Sequence, residues 1–304
     1  MTWWTVLEQR IIPRDQEQGP EDGLFLLRDG QGYVVADAHS VHEKMPIDGM
    51  TPGQFVLGAF GKALEEIPVP TSETEIYGWI GGLSACVRSA LESKNRFEEA
   101  MDPGLGRVYR RPGLVFVAFL PHLHCIVRVG DCQYFLDGAG HNPGLKVDRV
   151  KANLRWVEML EALGDIDPSV PSIYRDELVR SDPTKELMKG LNMYWQQHYR
   201  NVLGPYGYAV MNGTPVPYEL IEIIEVPDTI RRIILTSDGI PQSLILPTFE
   251  ATIKAFQDAL EKDPLCIGRG MLGGVRGAIL MPDGTFGAYD DFTFFSFKKG
   301  RDVD

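Results

Sequence analysis

The apolar residues of the chain follow two spacings, one typical of strands and one typical of helices. Short apolar runs predict strands at 24–27, 33–36, 114–120, 123–129, 132–136, 231–236, 277–281 and 292–297. Apolar residues recurring every three or four positions predict helices at 51–67, 72–91, 152–163 and 249–260. Because short turns rather than helices join several neighbouring strands, the order favours an α+β fold with antiparallel sheets and helices on their outer faces.

Turn and capping residues mark the ends of these elements. The Asp29-Gly30 pair between the first two strands is typical of a two-residue type I′ turn. Thr51 and Pro52 predict the start of the first helix, as its N-cap and first-turn proline. Ser72 and Glu75 predict a capping box at the start of the second helix.

Composition and charge restrict the class of protein. With 304 residues, 44% of them hydrophobic, the chain can bury a large core, and we expect one domain spanning 1–304. Its net charge of −12 argues against nucleic acid or an anionic membrane as partner, because both select basic surfaces. The four cysteines form no CxxC pair, and no apolar run approaches a signal-peptide core or the roughly 18 residues of a membrane span. These features predict a cytoplasmic protein.

Acidic residues stand where several predicted strands end. A two-residue turn at Asp29-Gly30 pairs Arg28 with Gln31, and the same register places Asp22 opposite Asp37. Opposed carboxylates repel each other, but a divalent cation between them would be held by oxygen ligands of the kind that Mg²⁺ and Mn²⁺ prefer. The alternative is that both acids lie in solvated loops. Asp238 and Asp290 occupy comparable positions, one after a strand and one before a strand, so a carboxylate cluster is the favoured interpretation.

Five short motifs occur in order: Glu21-Asp22, Asp37-Ala38-His39, Gly130-Asp131-Cys132, Ser237-Asp238-Gly239 and Asp290-Asp291-Phe292-Thr293. Together they resemble the ED, DGH, GDSR, SDG and DNxT patterns of the PP2C-type metal-dependent serine/threonine protein phosphatases. The resemblance covers about residues 20–298. It implies an αββα sandwich, two antiparallel sheets flanked by helices, with two Mn²⁺ or Mg²⁺ ions at one end.

The resemblance also implies roles for individual residues. The implied metal ligands are Asp37, which would bridge both ions, the carbonyl of Ala38, Asp238, Asp290, Glu21 and Asp22. A water activated by the two ions would attack a phosphorylated protein substrate. His39 would then protonate the leaving serine or threonine oxygen as general acid.

Departures from the family pattern leave more than one function open. Glu17 stands where the family has its phosphate-binding arginine, so Arg14 or Arg10 would have to replace it, and Gln242 stands where the family has a third-metal aspartate. The leading hypothesis is a protein phosphatase. The alternatives are a catalytically weak PP2C-like pseudophosphatase that serves as a binding or regulatory module, and a phosphatase of a small metabolite. We also expect the segment 173–207 to influence substrate choice.

Overall fold

A computed structural model describes residues 4–13, 19–39, 46–97, 111–141, 200–203, 207–238, 240, 244–262, 279–280, 286–287 and 291–300. The strands in this part of the chain are β1 (Trp4–Ile12), β2 (Asp22–Leu26), β3 (Tyr33–His39), β4 (Gly113–Leu120), β5 (Cys125–Val129), β6 (Gln133–Leu136), β7 (Ala139–His141), β8 (Ile221–Glu225), β9 (Arg232–Thr236), β10 (Ile279–Leu280), β11 (Phe286–Gly287) and β12 (Phe292–Lys299). The α-helices are α1 (Pro52–Glu66), α2 (Glu73–Ser93) and α3 (Phe249–Lys262). The predicted helix at 152–163 lies outside the described residues.

The strands form two five-stranded antiparallel sheets and a separate two-stranded pair, β10 with β11. Sheet I has the order β2-β3-β4-β5-β8, and sheet II has the order β1-β12-β9-β6-β7. In sheet I, β2 with β3 and β4 with β5 are hairpins, and in sheet II only β6 and β7 are neighbours in sequence among the strands described. In sheet II, β12 lies between β1 and β9.

Three apolar clusters join the layers. The first packs α1 and α2 against the outer face of sheet I, and its large members include Phe60, Trp79 and Phe116. The second lies between the sheets, where Val35 and Phe119 meet Phe295. The third packs Phe256 of α3 against the outer face of sheet II. The layers are therefore helices, sheet I, sheet II and helix, which confirms the predicted αββα arrangement.

Two local predictions are wrong although the elements they mark are present. Residues Arg28–Gly30 form a 3₁₀ turn within a longer loop, not a two-residue type I′ turn. Ser72 is the N-cap of α2 but makes no side-chain cap hydrogen bond, and its hydroxyl lies 3.0 Å from that of Thr74. Glu75 accepts hydrogen bonds from the amide and hydroxyl of Thr71. The start of α1 is confirmed, with Thr51 as its N-cap.

Gly130 carries the chain from sheet I to sheet II between β5 and β6. Its φ is +91°, and an added Cβ would lie 2.1 Å from Cγ1 of Val115. Only glycine combines this backbone conformation with such a close approach. The crossing delivers Asp131 and Cys132 to the space where the two sheets meet.

No α-helix in the described segments is long and apolar enough to cross a membrane.

Candidate functional site

The layer between the sheets changes from apolar to polar at one end. Side chains alternate along a strand, so the inward row of β3 that contains Val35 continues to Asp37 and then His39. In β12 the inward row that contains Phe295 reaches Thr293. We call the group Asp22, Asp37, His39, Ser237 and Thr293 the polar rim.

The sequence-derived pairing of two rim acids is present. Asp22 of β2 is directly opposite Asp37 of β3, in an unbroken register that begins with Leu26 opposite Tyr33. Asp22 is buried and Asp37 is half-buried. Like charges at opposed positions destabilise a ladder, so this pair gains from a nearby cation or from hydrogen-bond donors.

Hydrogen bonds from sheet II hold Asp22 in place. The hydroxyl of Thr293 donates to Oδ2 of Asp22 at 3.0 Å, and both residues are buried. The carboxylate of Asp291 accepts hydrogen bonds from the backbone amides of Glu21 and Asp22, the latter at 3.2 Å. Ser237 accepts a hydrogen bond from the amide of Thr293 at 2.8 Å, which links β9 to the same point.

The buried thiol of Cys132 is affected electrostatically by several acids at this end of the sandwich. Burial raises the pKa of the Cys132 thiol well above its usual range, and negative charge adds to this effect. The charges that act on the thiol belong, in decreasing order, to Asp37, Asp131, Asp22 and Asp238. Asp131 is only 1% exposed, and Asp238 is half-buried. Acids from four separate segments thus lie close enough to Cys132 to act on its charge.

Glu21 occupies a different position from its neighbour Asp22. Its carboxylate accepts a hydrogen bond from the hydroxyl of Thr51, the N-cap residue of α1. An added Cβ on Gly53 would lie 2.6 Å from the carboxyl carbon of Glu21, so the glycine makes room for this side chain. The N-terminus of a helix favours a negative charge. The backbone of Glu21 does join the site, since its carbonyl accepts from the amide of Ala38 at 3.1 Å.

His39 contacts a residue that the sequence analysis did not identify. The Nη2 group of Arg200 lies within hydrogen-bond distance of Nε2 of His39. Arg200 also donates through Nε to the hydroxyl of Tyr208 at 3.2 Å and through Nη1 to the carbonyl of Arg111 at 2.9 Å. No sequence motif marks Arg200, and 161 residues separate it from His39.

The chemistry of the donors fits a hard divalent cation. Asp22, Asp37 and Asp238 offer carboxylate oxygens, which suit Mg²⁺ and Mn²⁺. As the side chains are placed, no group of three or more His, Cys, Asp or Glu residues within the described ranges forms a ready-made metal site. The predicted ligand Asp290 and the predicted phosphate contact Arg14 lie outside those ranges.

Asp131 and Asp291 contribute to this end of the sandwich without having been predicted as site residues. Asp291 is adjacent to the predicted ligand Asp290, and its carboxylate links the start of β12 to β2. Asp131 belongs to the Gly130-Asp131-Cys132 motif, which is the one feature of the sequence that indicates its place at the site.

Several solved structures share the overall arrangement at low sequence identity. The catalytic domain of the serine/threonine protein phosphatase PstP, in complex with two manganese ions, is 14% identical, covers 98% of both chains and has a TM-score of 0.45. The PstP/Ppp phosphatase of Mycobacterium tuberculosis is 15% identical, with 98% of this chain and 99% of that chain covered and a TM-score of 0.46. For Stp1 of Staphylococcus aureus the identity is 14%, the coverage 97% and 95%, and the TM-score 0.47.

These neighbours belong to the class of protein that the five motifs resemble, the serine/threonine phosphatases. No protein-family model matches the chain, and no curated protein matches it. TM-scores below 0.5 describe a distant likeness of fold. The function of this chain must therefore be argued from its own residues.

Proposed function

We propose that the protein is a metal-dependent phosphatase that hydrolyses phosphoserine and phosphothreonine in proteins. The observation that carries the proposal is the pairing of Asp22 with Asp37 at the end of the inter-sheet layer. Two opposed carboxylates are unfavourable in an ordinary strand pair and favourable where a cation is bound.

The residues that would hold two Mn²⁺ or Mg²⁺ ions are Asp37, the carbonyl of Ala38, Asp22, Asp238 and Asp290, with Glu21 acting through water. When bound, such ions lower the pKa of a shared water and neutralise charge on phosphoryl oxygens. The protein's own part is to orient the ligands. Thr293 fixes one oxygen of Asp22, and Asp291 fixes the backbone that carries it.

The substrate class follows from the motifs, which resemble those of phosphatases that act on phosphoserine and phosphothreonine in proteins. The acids lie at one end of the layer between the two sheets. The chain's net charge of −12 supplies no general attraction for phosphate. Binding of a phosphoryl group would therefore depend on groups at the site itself.

Metal-dependent hydrolysis is the direct test. We would measure the cleavage of p-nitrophenyl phosphate and of a phosphothreonine peptide with Mn²⁺, with Mg²⁺ and with EDTA. The wild-type protein should be active only with metal, and Asp37→Asn should lose at least two orders of magnitude in kcat/KM, as expected when a metal-based electrostatic contribution is removed. Asp258→Asn is the matched control, because Asp258 is an exposed aspartate of α3.

One observation favours the second candidate, a catalytically weak binding module. The carboxylate of Glu21, a predicted metal ligand, accepts a hydrogen bond from the hydroxyl of Thr51 at the start of α1. If the folded wild-type protein hydrolyses neither substrate with either metal, but binds the phosphothreonine peptide, the phosphatase proposal is wrong and the binding module is supported. Hydrolysis of small phosphoesters without hydrolysis of phosphopeptides would instead support a metabolite phosphatase.

A further inference from the structure

We propose that a groove on one side of the sandwich is a docking site for an extended segment of a partner protein, which adds to the open edge of β2 as a further strand of sheet I. The groove lies between the edge strands β1 and β2 and helix α1, and we call it the edge groove. Residues of all three elements line it, among them Arg10, Ile11, Leu24, Leu26, Leu64 and Glu65. The proposal does not depend on the proposed phosphatase function.

The first step is that backbone groups of β2 are open on this side. The amide of Leu27 donates to the carbonyl of Gly32 at 2.9 Å, so Leu27 pairs with the strand β3 side of the loop. Hydrogen-bonded positions alternate along an antiparallel ladder, so the amides and carbonyls of Leu24 and Leu26 point away from β3. β2 is an edge strand, and no hydrogen bond to these outward groups is present in the part of the chain that the structure describes.

The open edge has defined ends. At its start the outward amide of Asp22 donates to the carboxylate of Asp291 at 3.2 Å, which closes the edge at the polar rim. After Leu26 the chain leaves the strand for the 3₁₀ turn. Leu24 and Leu26 each offer one amide and one carbonyl, and such groups bind an added strand in the recognition mode known as β-augmentation.

The second step is that β2 lacks the features that protect edge strands. Natural edge strands commonly carry charged residues, prolines or bulges that discourage pairing with another chain. β1, the other strand of the edge groove, has a register irregularity between Val6 and Glu8 and bears charged side chains. The open positions of β2 are leucines, and Leu26 is 61% exposed. An exposed, apolar and unprotected edge is typical of a surface that another strand covers.

The third step is the charge on the two walls of the edge groove. On the β1 wall, exposed Arg10 precedes Ile11, which is 38% exposed. On the α1 wall, exposed Glu65 follows buried Leu64. Within the described ranges no ion pair engages Arg10 or Glu65, so both charges are available to a partner.

The fourth step is the pattern that these walls select. Leu24 packs toward the layer between the sheets, and Phe25 packs toward α1. Neighbouring strands share their faces, so alternate residues of an added strand would face β1 and α1 in turn. The partner segment that fits is therefore extended and largely apolar, with an acidic residue on the face toward Arg10 and a basic residue on the face toward Glu65.

The first experiment follows the backbone of β2 and does not require activity. The probe is the peptide Thr-Glu-Leu-Val-Lys-Val-Thr, whose glutamate and lysine lie on opposite faces when the peptide is extended. We would titrate it into the ¹⁵N-labelled full chain and expect saturable shifts of the Leu24 and Leu26 amide signals. Leu26→Pro removes an outward amide that β3 does not use, so it should weaken binding by about tenfold or more. Leu26→Thr keeps the amide and should weaken binding by no more than about threefold.

The second experiment tests the charges with exposed residues whose replacement leaves the core intact. The peptide Thr-Lys-Leu-Val-Lys-Val-Thr should bind the wild-type protein about three- to fivefold more weakly than the first peptide, and Arg10→Glu should restore its affinity. Thr-Glu-Leu-Val-Glu-Val-Thr should likewise bind Glu65→Lys more tightly than the wild-type protein. Lys254→Glu, a change of an exposed residue of α3, is the matched control and should alter none of these affinities.

Three results would overturn the proposal. The first is that none of the three peptides shifts the Leu24 and Leu26 signals in a saturable way. The second is that the charge changes at Arg10 and Glu65 affect the three peptides equally. The third is self-association of the wild-type chain in sedimentation velocity that Leu26→Pro abolishes, because the occupant of the edge groove would then be a second copy of this chain.

Discussion

The hydrogen bond from Thr293 to Asp22 should be a measurable source of stability, because it joins two buried residues from different sheets. We predict that Thr293→Val destabilises the metal-free protein. Valine keeps the branched shape of threonine but cannot donate to Oδ2 of Asp22. A hydrogen bond to a charged group contributes about 1.5–3 kcal/mol, and its loss leaves a buried carboxylate with fewer donors. The free energy of unfolding should therefore fall by roughly that amount.

Thr236→Val is a closely matched control for this prediction. Thr236 is also fully buried in sheet II, but its hydroxyl has no hydrogen-bond partner among the residues that the structure describes. Removing a buried, unsatisfied hydroxyl should be neutral or slightly stabilising. Urea titrations of both variants in EDTA, followed by circular dichroism, measure the difference. Equal effects of the two substitutions would refute the reasoning, because the variants differ mainly in the hydrogen bond.

Three further predictions concern other parts of the fold. Gly130→Ala should destabilise the protein by about 1–3 kcal/mol more than Gly138→Ala in urea titrations, because both glycines have a φ of +91° but only Gly130 leaves no room for a Cβ. The pKa of Glu75 should lie below its ordinary value of 4.5, chiefly because the Thr71 amide donates a hydrogen bond to its carboxylate. Glu75 therefore adds stability that is lost as the pH falls through this lowered pKa. NMR titration should show that Thr71→Val, which keeps the amide but removes the hydroxyl, reverses the shift only in part. Burial raises the pKa of Cys125 to about 12 and that of Cys132 well above its usual range. A thiol reagent at pH 8 should therefore modify half-buried Cys86 in the native protein, and modify Cys125 and Cys132 only after unfolding. Mass spectrometry of the labelled peptides measures this.

The pairing of Asp22 with Asp37 was predictable from sequence even though the predicted turn is wrong. The loop that joins β2 and β3 extends by the same number of residues on each side of Asp29-Gly30, so a two-residue turn and the observed longer loop give the same register. Register depends on the centre of the loop, whereas turn type depends on backbone angles that the sequence pattern does not fix.

Strand β1 was not predicted, because its pattern is weak. It is an edge strand of sheet II, and in its first half the half-buried positions alternate with exposed ones such as Thr5 and Leu7. One side of an edge strand is not paired with another strand, so its sequence is less restricted, and charged residues are common there. Its partner β12, by contrast, contains four phenylalanines and is buried at seven of its eight positions, and it was recognised.

The contact between Arg200 and His39 could not be predicted from local patterns. Strand periodicity and turn signals describe neighbours in sequence, and this contact joins residues 161 positions apart. The acids at the rim were recognised because each of them stands near the end of a predicted strand. Arg200 does not stand at the end of a predicted strand, and its contact with His39 is seen only in the folded structure.

The position of β12 has a consequence for the order in which the molecule can assemble. Its partners are the first strand described, β1, and the much later β9, so sheet II cannot close until the residues of β12 have emerged from the ribosome. The strands of sheet I, α1 and α2 all precede β9 in the sequence, so they can form earlier. Until then Asp22 has neither Thr293 nor Asp291 to hold it. A nascent chain that stops short of residue 291 would thus have an incomplete sandwich, and Asp22 would gain its fixed position only once β12 has been made.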